Sequence, residues 1–269
     1  MNLSNRVAVI TGAGSGIGRA TAFAFARRRC HLALADIDHA SLKETAWLLD
    51  KQGVRITTHV LDVADREAVR ALPDEVQAAH GRVDVLVNNA GVALGGSFEQ
   101  VSEDDFDWLM EINFHGVVRM TRAFLPHLRR SDEARIVNVS SIYGIVAPPG
   151  QAAYSASKFA VRGFSNALRH ELEGSSVGVS VVHPGGVATA IAHKARVPLD
   201  APPDEIERGR QIAEKLLRLA PETAGEIIAR GIERGDARIL VGSDAKAVSI
   251  LERIAPVSYW RYLKKATSR

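Results

Sequence analysis

The sequence predicts an α/β fold: a parallel β-sheet covered by helices on both faces. Short runs rich in Val, Ile and Leu alternate with longer stretches of helical periodicity along the 269 residues, the pattern of successive β-α-β units. The first run passes directly into a glycine-rich turn and then a helix. No internal repeat, low-complexity tract or linker divides the chain, so a single domain over residues 1–269 is expected.

Seven strands are read, at 7–11, 32–36, 55–61, 83–88, 135–140, 177–183 and 238–241. Helical patterns fall near 17–29, 39–52, 65–80, 103–130, 152–173 and 222–234. An apolar content of 46% is ordinary for a chain that buries a sizeable core. The net charge of +3 is concentrated at the end, where Arg253, Arg261, Lys264, Lys265 and Arg269 face only Glu252. The remainder is close to neutral, which argues against a nucleic-acid surface. A lone cysteine, Cys30, excludes an internal disulfide and fits a reducing compartment. No signal-peptide pattern and no apolar run near the ~18 residues of a membrane span are present, so a cytoplasmic protein is expected.

The turn after the first strand reads Gly12-Ala-Gly-Ser15-Gly16-Ile17-Gly18. Glycines there let the backbone turn sharply and approach a pyrophosphate, which a helix N-terminus attracts. The spacing departs from Gly-x-Gly-x-x-Gly, because Ile17 and Arg19 stand at the third-glycine positions. A tight strand-to-helix turn without ligand is the competing explanation. The second strand ends in Asp36, eighteen residues past Gly18, where a carboxylate can accept from both hydroxyls of an adenosine ribose and repel a 2′-phosphate. Ser15, Ala35 and Ile37 offer that phosphate no cation, so NAD is expected rather than NADP. Arg27, Arg28 and Arg29 read as cations suited to a helix C-terminus and are the main argument the other way. Asp62 and Val63 after the third strand suit an adenine edge, or Asp62 caps the next helix. The fourth strand ends in Asn88-Asn89-Ala90-Gly91, small and polar where a cofactor must lie against backbone.

Tyr154 and Lys158 share one helix face, one turn apart, and Ser141 lies thirteen residues before the tyrosine. Of the four tyrosines only Tyr154 has lysine at that spacing. A phenol of ordinary pKa near ~10 is a poor acid or base at neutral pH, and a neighbouring ammonium lowers that value. The pair is thus expected to be a tuned proton-transfer group, with Ser141 offering a hydroxyl to a reacting oxygen.

Together these pieces resemble the short-chain dehydrogenase/reductase family. They are Thr11–Gly18, Asp62-Val63, Asn88–Gly91, Asn113, Ser141, Tyr154-x-x-x-Lys158 and Pro184-Gly185-Gly-Val187-Ala-Thr189, in the family's order over residues 6 to about 190. The resemblance implies a doubly wound, Rossmann-like three-layer fold with a seven-stranded parallel sheet, assembled as a dimer or tetramer. It implies reversible oxidation of an alcohol to a carbonyl with a nicotinamide cofactor. Carried over by position, Tyr154 is the general acid/base, and Lys158 lowers its pKa and holds the nicotinamide ribose. Ser141 orients substrate, and Asn113 keeps a water that links Lys158 to solvent. Val187 and Thr189 would hold the nicotinamide carboxamide, the former through its backbone.

Three regions are less determined. Residues 189–220 break the alternation, contain Pro198, Pro202 and Pro203, and carry an apolar side of Ile206, Ile212, Ala213, Leu216 and Leu217. A substrate-binding lid is expected there, against the alternative of a helix simply packed on the sheet. The extension at 243–269 ends in aromatics beside cations, suited to pocket or subunit packing and, secondarily, to weak contact with a membrane surface. His115, His183 and His193 lie near site motifs without a metal-ligand pattern and read as packing or surface residues. Similar extensions in relatives that handle lipids or steroids favour a hydrophobic secondary alcohol or ketone as substrate. The alternatives are an NADP-dependent carbonyl or 3-oxoacyl reductase and a non-catalytic dinucleotide sensor.

Overall fold

Seven strands are present in the computed structural model, which describes residues 1–198 and 201–267. They are β1 (Val7–Thr11), β2 (His31–Asp36), β3 (Ile56–Val60), β4 (Val85–Asn88), β5 (Ala134–Val139), β6 (Val177–Pro184) and β7 (Arg238–Val241). All pair in parallel, in the order β3-β2-β1-β4-β5-β6-β7. The chain winds outward from β1 to one edge, returns to β4, and winds outward to the other. Connections therefore diverge above β1 and β4, opening a crevice at the carboxyl ends of those strands.

Helices α1 (Gly16–Ala26), α2 (His39–Leu49) and α3 (Arg66–His80) follow the first three strands. α4 (Glu103–Met110) and α5 (Gly116–Leu128) follow β4, and α6 (Ala152–Glu171) precedes β6. After it come α7 (Pro203–Leu216), α8 (Pro221–Arg234), α9 (Ser243–Ile254) and α10 (Tyr259–Thr267). Their starts have local causes. Asp38, Asp65 and Ser102 accept from first-turn amides of α2, α3 and α4, while Pro203 and Pro221 open α7 and α8, where a missing N–H costs nothing. The cap of α3 is Asp65, not Asp62.

One apolar layer joins the sheet to α1, α2 and α8 through Phe25, Leu42, Ile228 and Ile232. The other joins it to α3, α5 and α6 through Leu72, Phe124 and Leu168. Each fully buried side chain of this size contributes roughly 1.5–3 kcal/mol. Close packing of α1 on α8 needs Gly225, where a Cβ would lie 2.5 Å from the backbone of Ala20. Arg28 reinforces that contact by pairing with Glu226 at 2.7 Å and Glu233 at 2.9 Å.

Two predicted elements differ. The helix expected at 103–130 contains a π-helical turn, Glu111–His115, between α4 and α5. The amphipathic segment after 189 does form α7, but Ile212 and Leu216 are exposed and no described side chain of that helix is buried. It is not packed on the sheet. Two parallel bridges hold its stems instead, Leu94 with Arg196 and Val187 with Leu219. Arg196 also lies 3.6 Å over the Trp108 ring and 2.9 Å from Asp105. Leu199 and Asp200 of this connection, and Arg269 of the basic tail, lie outside the described residues. Among the described residues no helix is long and apolar enough to cross a membrane.

Candidate active site

The turns after β1 and β4 form the floor of the crevice and are tied together. Thr11 Oγ1 accepts from the amides of Asn89 and Ala90, both at 3.0 Å, and Asn89 Nδ2 donates to Thr11 O at 3.0 Å and Gly12 O at 3.2 Å. Gly12 is left-handed (φ 65°), and a Cβ there would stand 2.8 Å from Asn89 Nδ2. A side chain is excluded on both counts. Gly16 faces the methyl of Thr189 across the crevice, 3.0 Å from where its Cβ would be.

Asp36 closes the other side of the glycine turn. Its Oδ2 accepts from Gly14 N at 2.8 Å and its Oδ1 from Asp38 N at 3.0 Å. Arg19, one residue past Gly18, donates to Gly14 O at 2.6 and 3.0 Å and pairs with Glu44. Arg28 is held by α8, away from Asp36, so it does not supply the cation that a 2′-phosphate needs. Ser15 precedes α1 without capping it, and the first turn carries no acid, leaving that N-terminus suited to an anion. Asp62 is exposed and accepts from Ala64 N at 2.8 Å. Val63 is buried, against the position of Gly116.

Lys158 is 4% exposed, and its Nζ donates to Val139 O at 3.3 Å and lies 5.6 Å from the Tyr154 ring centroid. Gly91 passes directly above: a Cβ there would stand 3.4 Å from Nζ and 3.0 Å from Asn113 Oδ1. The Ser141 hydroxyl accepts from Tyr143 N at 3.1 Å and stands close enough to the Tyr154 phenol to favour its ionised form. The adjacent Ser140 turns away and donates to Lys158 O at 2.8 Å, so Ser141 is the serine at the phenol. Asn113 is fully buried in the π-helical turn. Its Oδ1 accepts from Val92 N at 2.8 Å, and its Nδ2 donates to Val92 O at 3.0 Å and Ser157 Oγ at 3.2 Å. That amide fastens the segment after Gly91 to α6; both Nδ2 hydrogens are used, while Oδ1 keeps a second lone pair.

The electrostatics correct one expectation. Spacing predicts that Lys158 pulls the Tyr154 phenol down; burial instead pushes it up to about 12, opposed by the Ser141 hydroxyl and assisted by Tyr143. The same burial lowers Lys158 to about 8. Desolvation disfavours both charged forms, and at 5.6 Å from the ring, bonded to a carbonyl, the ammonium does not reverse it.

On the far wall Pro184 ends β6. Gly185 N donates to Val241 O at 2.9 Å, Gly186 N to Asp244 Oδ2 at 2.6 Å and Val187 N to Gly185 O at 3.0 Å. The Val187 amide is thus engaged within its own loop. Several contributors had no sequence signal. Tyr143 packs edge-on against Tyr154 at 6.0 Å. The Tyr259 hydroxyl of α10 accepts from Ala147 N at 3.0 Å, placing the aromatic tail against the loop before α6. His183, read as a packing residue, is buried with Nδ1 2.9 Å from Ser141 O, while His115 and His193 are exposed. Among the described residues no cluster of His, Cys, Asp or Glu could hold a metal ion.

A glycine turn at the sheet's switch point, with Ser141, Tyr154 and Lys158 gathered beyond the end of β5, is the architecture of a nucleotide-dependent oxidoreductase. A match to the short chain dehydrogenase family spans residues 6–199, and the chain belongs to that family. It is 43% identical over 271 residues to the putative oxidoreductase SadH of Mycobacterium tuberculosis, covering 100% of this chain and 97% of that protein. It is 32% identical to the 3-oxoacyl-[acyl-carrier-protein] reductase FabG of Thermotoga maritima, over 87% of this chain and 99% of that one. A short chain dehydrogenase/reductase from Burkholderia phymatum in complex with NAD superposes with a TM-score of 0.87, at 32% identity and 94% coverage of both chains.

Proposed function

We propose that this protein interconverts a hydrophobic secondary alcohol and its ketone, using NAD as hydride acceptor or donor. The observation that carries the reading is the buried Lys158 ammonium 5.6 Å from the Tyr154 ring centroid, with Ser141 beside the phenol, past the carboxyl end of β5, while Asp36 stands at the glycine turn. The residues fit the cofactor: an uncapped helix N-terminus for the pyrophosphate, Asp36 for the ribose, and Gly91 leaving room above Lys158. Gly12, Gly16, Gly18, Ala90 and Gly91 line its path, with Thr189 and the Val187 carbonyl at the nicotinamide end.

Bound NAD would supply the carbon that takes up the hydride. The chain manages the proton. Tyr154 takes it from the substrate hydroxyl as the carbon–hydrogen electron pair departs, and returns it in the reverse direction. Ser141 donates to the substrate oxygen as its charge develops, and exclusion of water strengthens that bond. A protonated Lys158 near the ring favours the phenolate. Exposed apolar side chains on the connection after β6, Ile191, Val197, Ile212 and Leu216, are suited to close over an apolar substrate.

Asp36 supports NAD over NADP, since Ser15 and Ile37 bring no cation and Arg19 is engaged by Glu44. The test is NAD and NADP reduction across steroid, fatty and small secondary alcohols. Turnover confined to NADP, or none with any secondary alcohol despite NADH binding, overturns the reading.

A further inference from the structure

Beyond the serine, tyrosine and lysine, a buried side chain on β6 reaches the proton-transfer group from the sheet. His183, one residue before Pro184 on β6, is fully excluded from solvent, and its Nδ1 lies 2.9 Å from Ser141 O. A carbonyl oxygen can only accept, so Nδ1 carries the proton and donates. The ring is then the Nδ1–H tautomer, and its buried Nε2 keeps a lone pair that meets no donor. An orphaned buried acceptor is destabilising. Leucine or phenylalanine at this position would fill the space without it. What histidine adds is the bond to Ser141.

We propose that His183 is a positioning residue for proton transfer: by holding the Ser141 peptide it aims the Ser141 hydroxyl at the Tyr154 phenol. This rests on the reading of Tyr154 as the acid/base. Ser141 stands just past the end of β5, in extended backbone (φ −166°, ψ 167°), where the short turn Ile142–Gly144 begins. Before it, Ser140 N donates to Val182 O at 2.8 Å, a rung between β5 and β6. After it, Gly144 N donates to Ser141 O at 3.0 Å. The carbonyl therefore accepts twice, once from its own turn and once from β6 through His183. The second bond fixes the turn to the sheet, and with it the direction of a hydroxyl that accepts from Tyr143 N and stands beside the Tyr154 phenol. Burial pushes the ring down to about 4, opposed by its bond to Ser141 O and assisted by Arg238 of β7 and Arg162 of α6, whose guanidinium donates to Gly144 O at 3.1 Å, so it remains a neutral donor at physiological pH.

The experiment has two arms. In the free protein with isotope-labelled histidine, nitrogen shifts should show His183 as a neutral Nδ1–H ring at and above pH ~6. An Nε2–H tautomer or titration near the ordinary histidine value overturns the proposal, and needs no variant. In NAD-saturated protein, the Tyr154 phenol is titrated by phenolate absorbance, with the Tyr154→Phe spectrum subtracted. His183→Leu should raise its apparent pKa by about one unit. His183→Asn, whose amide donates from the Nδ1 position, should restore it. Affinity for NADH, followed by its fluorescence, should stay within about two-fold in both variants. An unmoved phenol in His183→Leu, or a shift that His183→Asn fails to reverse, refutes the positioning role. Loss of NADH affinity in step with the phenol shift assigns His183 to packing alone. Absence of NADH binding by the wild type would instead sink the functional reading and leave the tautomer arm to decide this one.

Discussion

Replacing Asp36 tests the cofactor assignment most sharply. Its carboxylate accepts from Gly14 N at 2.8 Å and Asp38 N at 3.0 Å, so it shapes the glycine turn and, on the proposed reading, would face the ribose. Bonds from two ribose hydroxyls to a half-exposed carboxylate are worth together about 1.5–3 kcal/mol, or roughly ten- to a hundred-fold in NADH affinity. A 2′-phosphate near ~4 Å from that carboxylate is repelled by at most about 4 kcal/mol per pair of charges, and solvent screening reduces this to about 1–2. Asp36→Ala is therefore expected to weaken NADH at least ten-fold and strengthen NADPH about ten-fold, moving the ratio of dissociation constants by ~100-fold or more. Fluorescence titration with both nucleotides measures it. Asp36→Asn keeps an acceptor for Gly14 N while removing the charge. It should therefore relieve the repulsion of NADPH while disturbing the turn less. A ratio unchanged in both variants refutes the argument, because Arg19 is engaged by Glu44 and Gly14 and cannot substitute as the discriminator.

Tyr154→Phe removes the proton-transfer group and almost no volume. Turnover should fall by at least ~10²–10⁴-fold with NADH affinity unchanged in a fluorescence titration. His183, lowered to about 4 in the fold, titrates near ~6.5 when unfolded. As pH falls through that window only the unfolded chain takes up the proton, so stability present above pH ~6.5 is lost toward pH ~4, by up to about 3 kcal/mol. Urea midpoints at pH ~7 and ~4.5 should accordingly fall less for His183→Leu than for the wild type. Tyr259→Phe frees the Ala147 amide at the pocket loop, a loss of about 0.5–1.5 kcal/mol. It should raise the alcohol KM several-fold with NAD affinity unaffected, and an unmoved KM would remove the tail from the pocket.

What could be read in advance follows from the range of the physics involved. Strands, the glycine turn and the Tyr154–Lys158 spacing are local patterns, and the seven parallel strands appear within a residue or two of where alternation puts them. The π-helical turn at Glu111–His115 has no residue signature. It coincides with Asn113 reaching both Val92 and Ser157, a match between distant segments. Arg28 sits at a helix C-terminus as its charge predicts, but its pairing with Glu226 and Glu233 depends on α8 crossing α1. Asp62 and Asp65 are equally good caps by type, and only the path of the chain after β3 selects the second. His183 reads from sequence as a packing or surface residue because its partner is a backbone carbonyl, which leaves no trace in side-chain identity.

The phenol shows most clearly where residue-level reasoning stops. Spacing reveals that a lysine accompanies Tyr154, and from charge alone that must lower the phenol pKa. The structure adds that both groups lie in one dry pocket, where desolvation penalises phenolate and ammonium alike. The larger effect therefore has the opposite sign from the one the motif announces. The same dryness is what makes Ser141 effective, since a hydroxyl aimed at a developing oxygen charge gains strength as water is removed. Burial keeps the phenol neutral, while Lys158, at about 8, still carries most of its charge at neutral pH. On the reading of Tyr154 as the acid/base, ionisation there awaits the further charge of a bound cofactor, and the serine, with His183 behind it, sets the direction from which that charge is met.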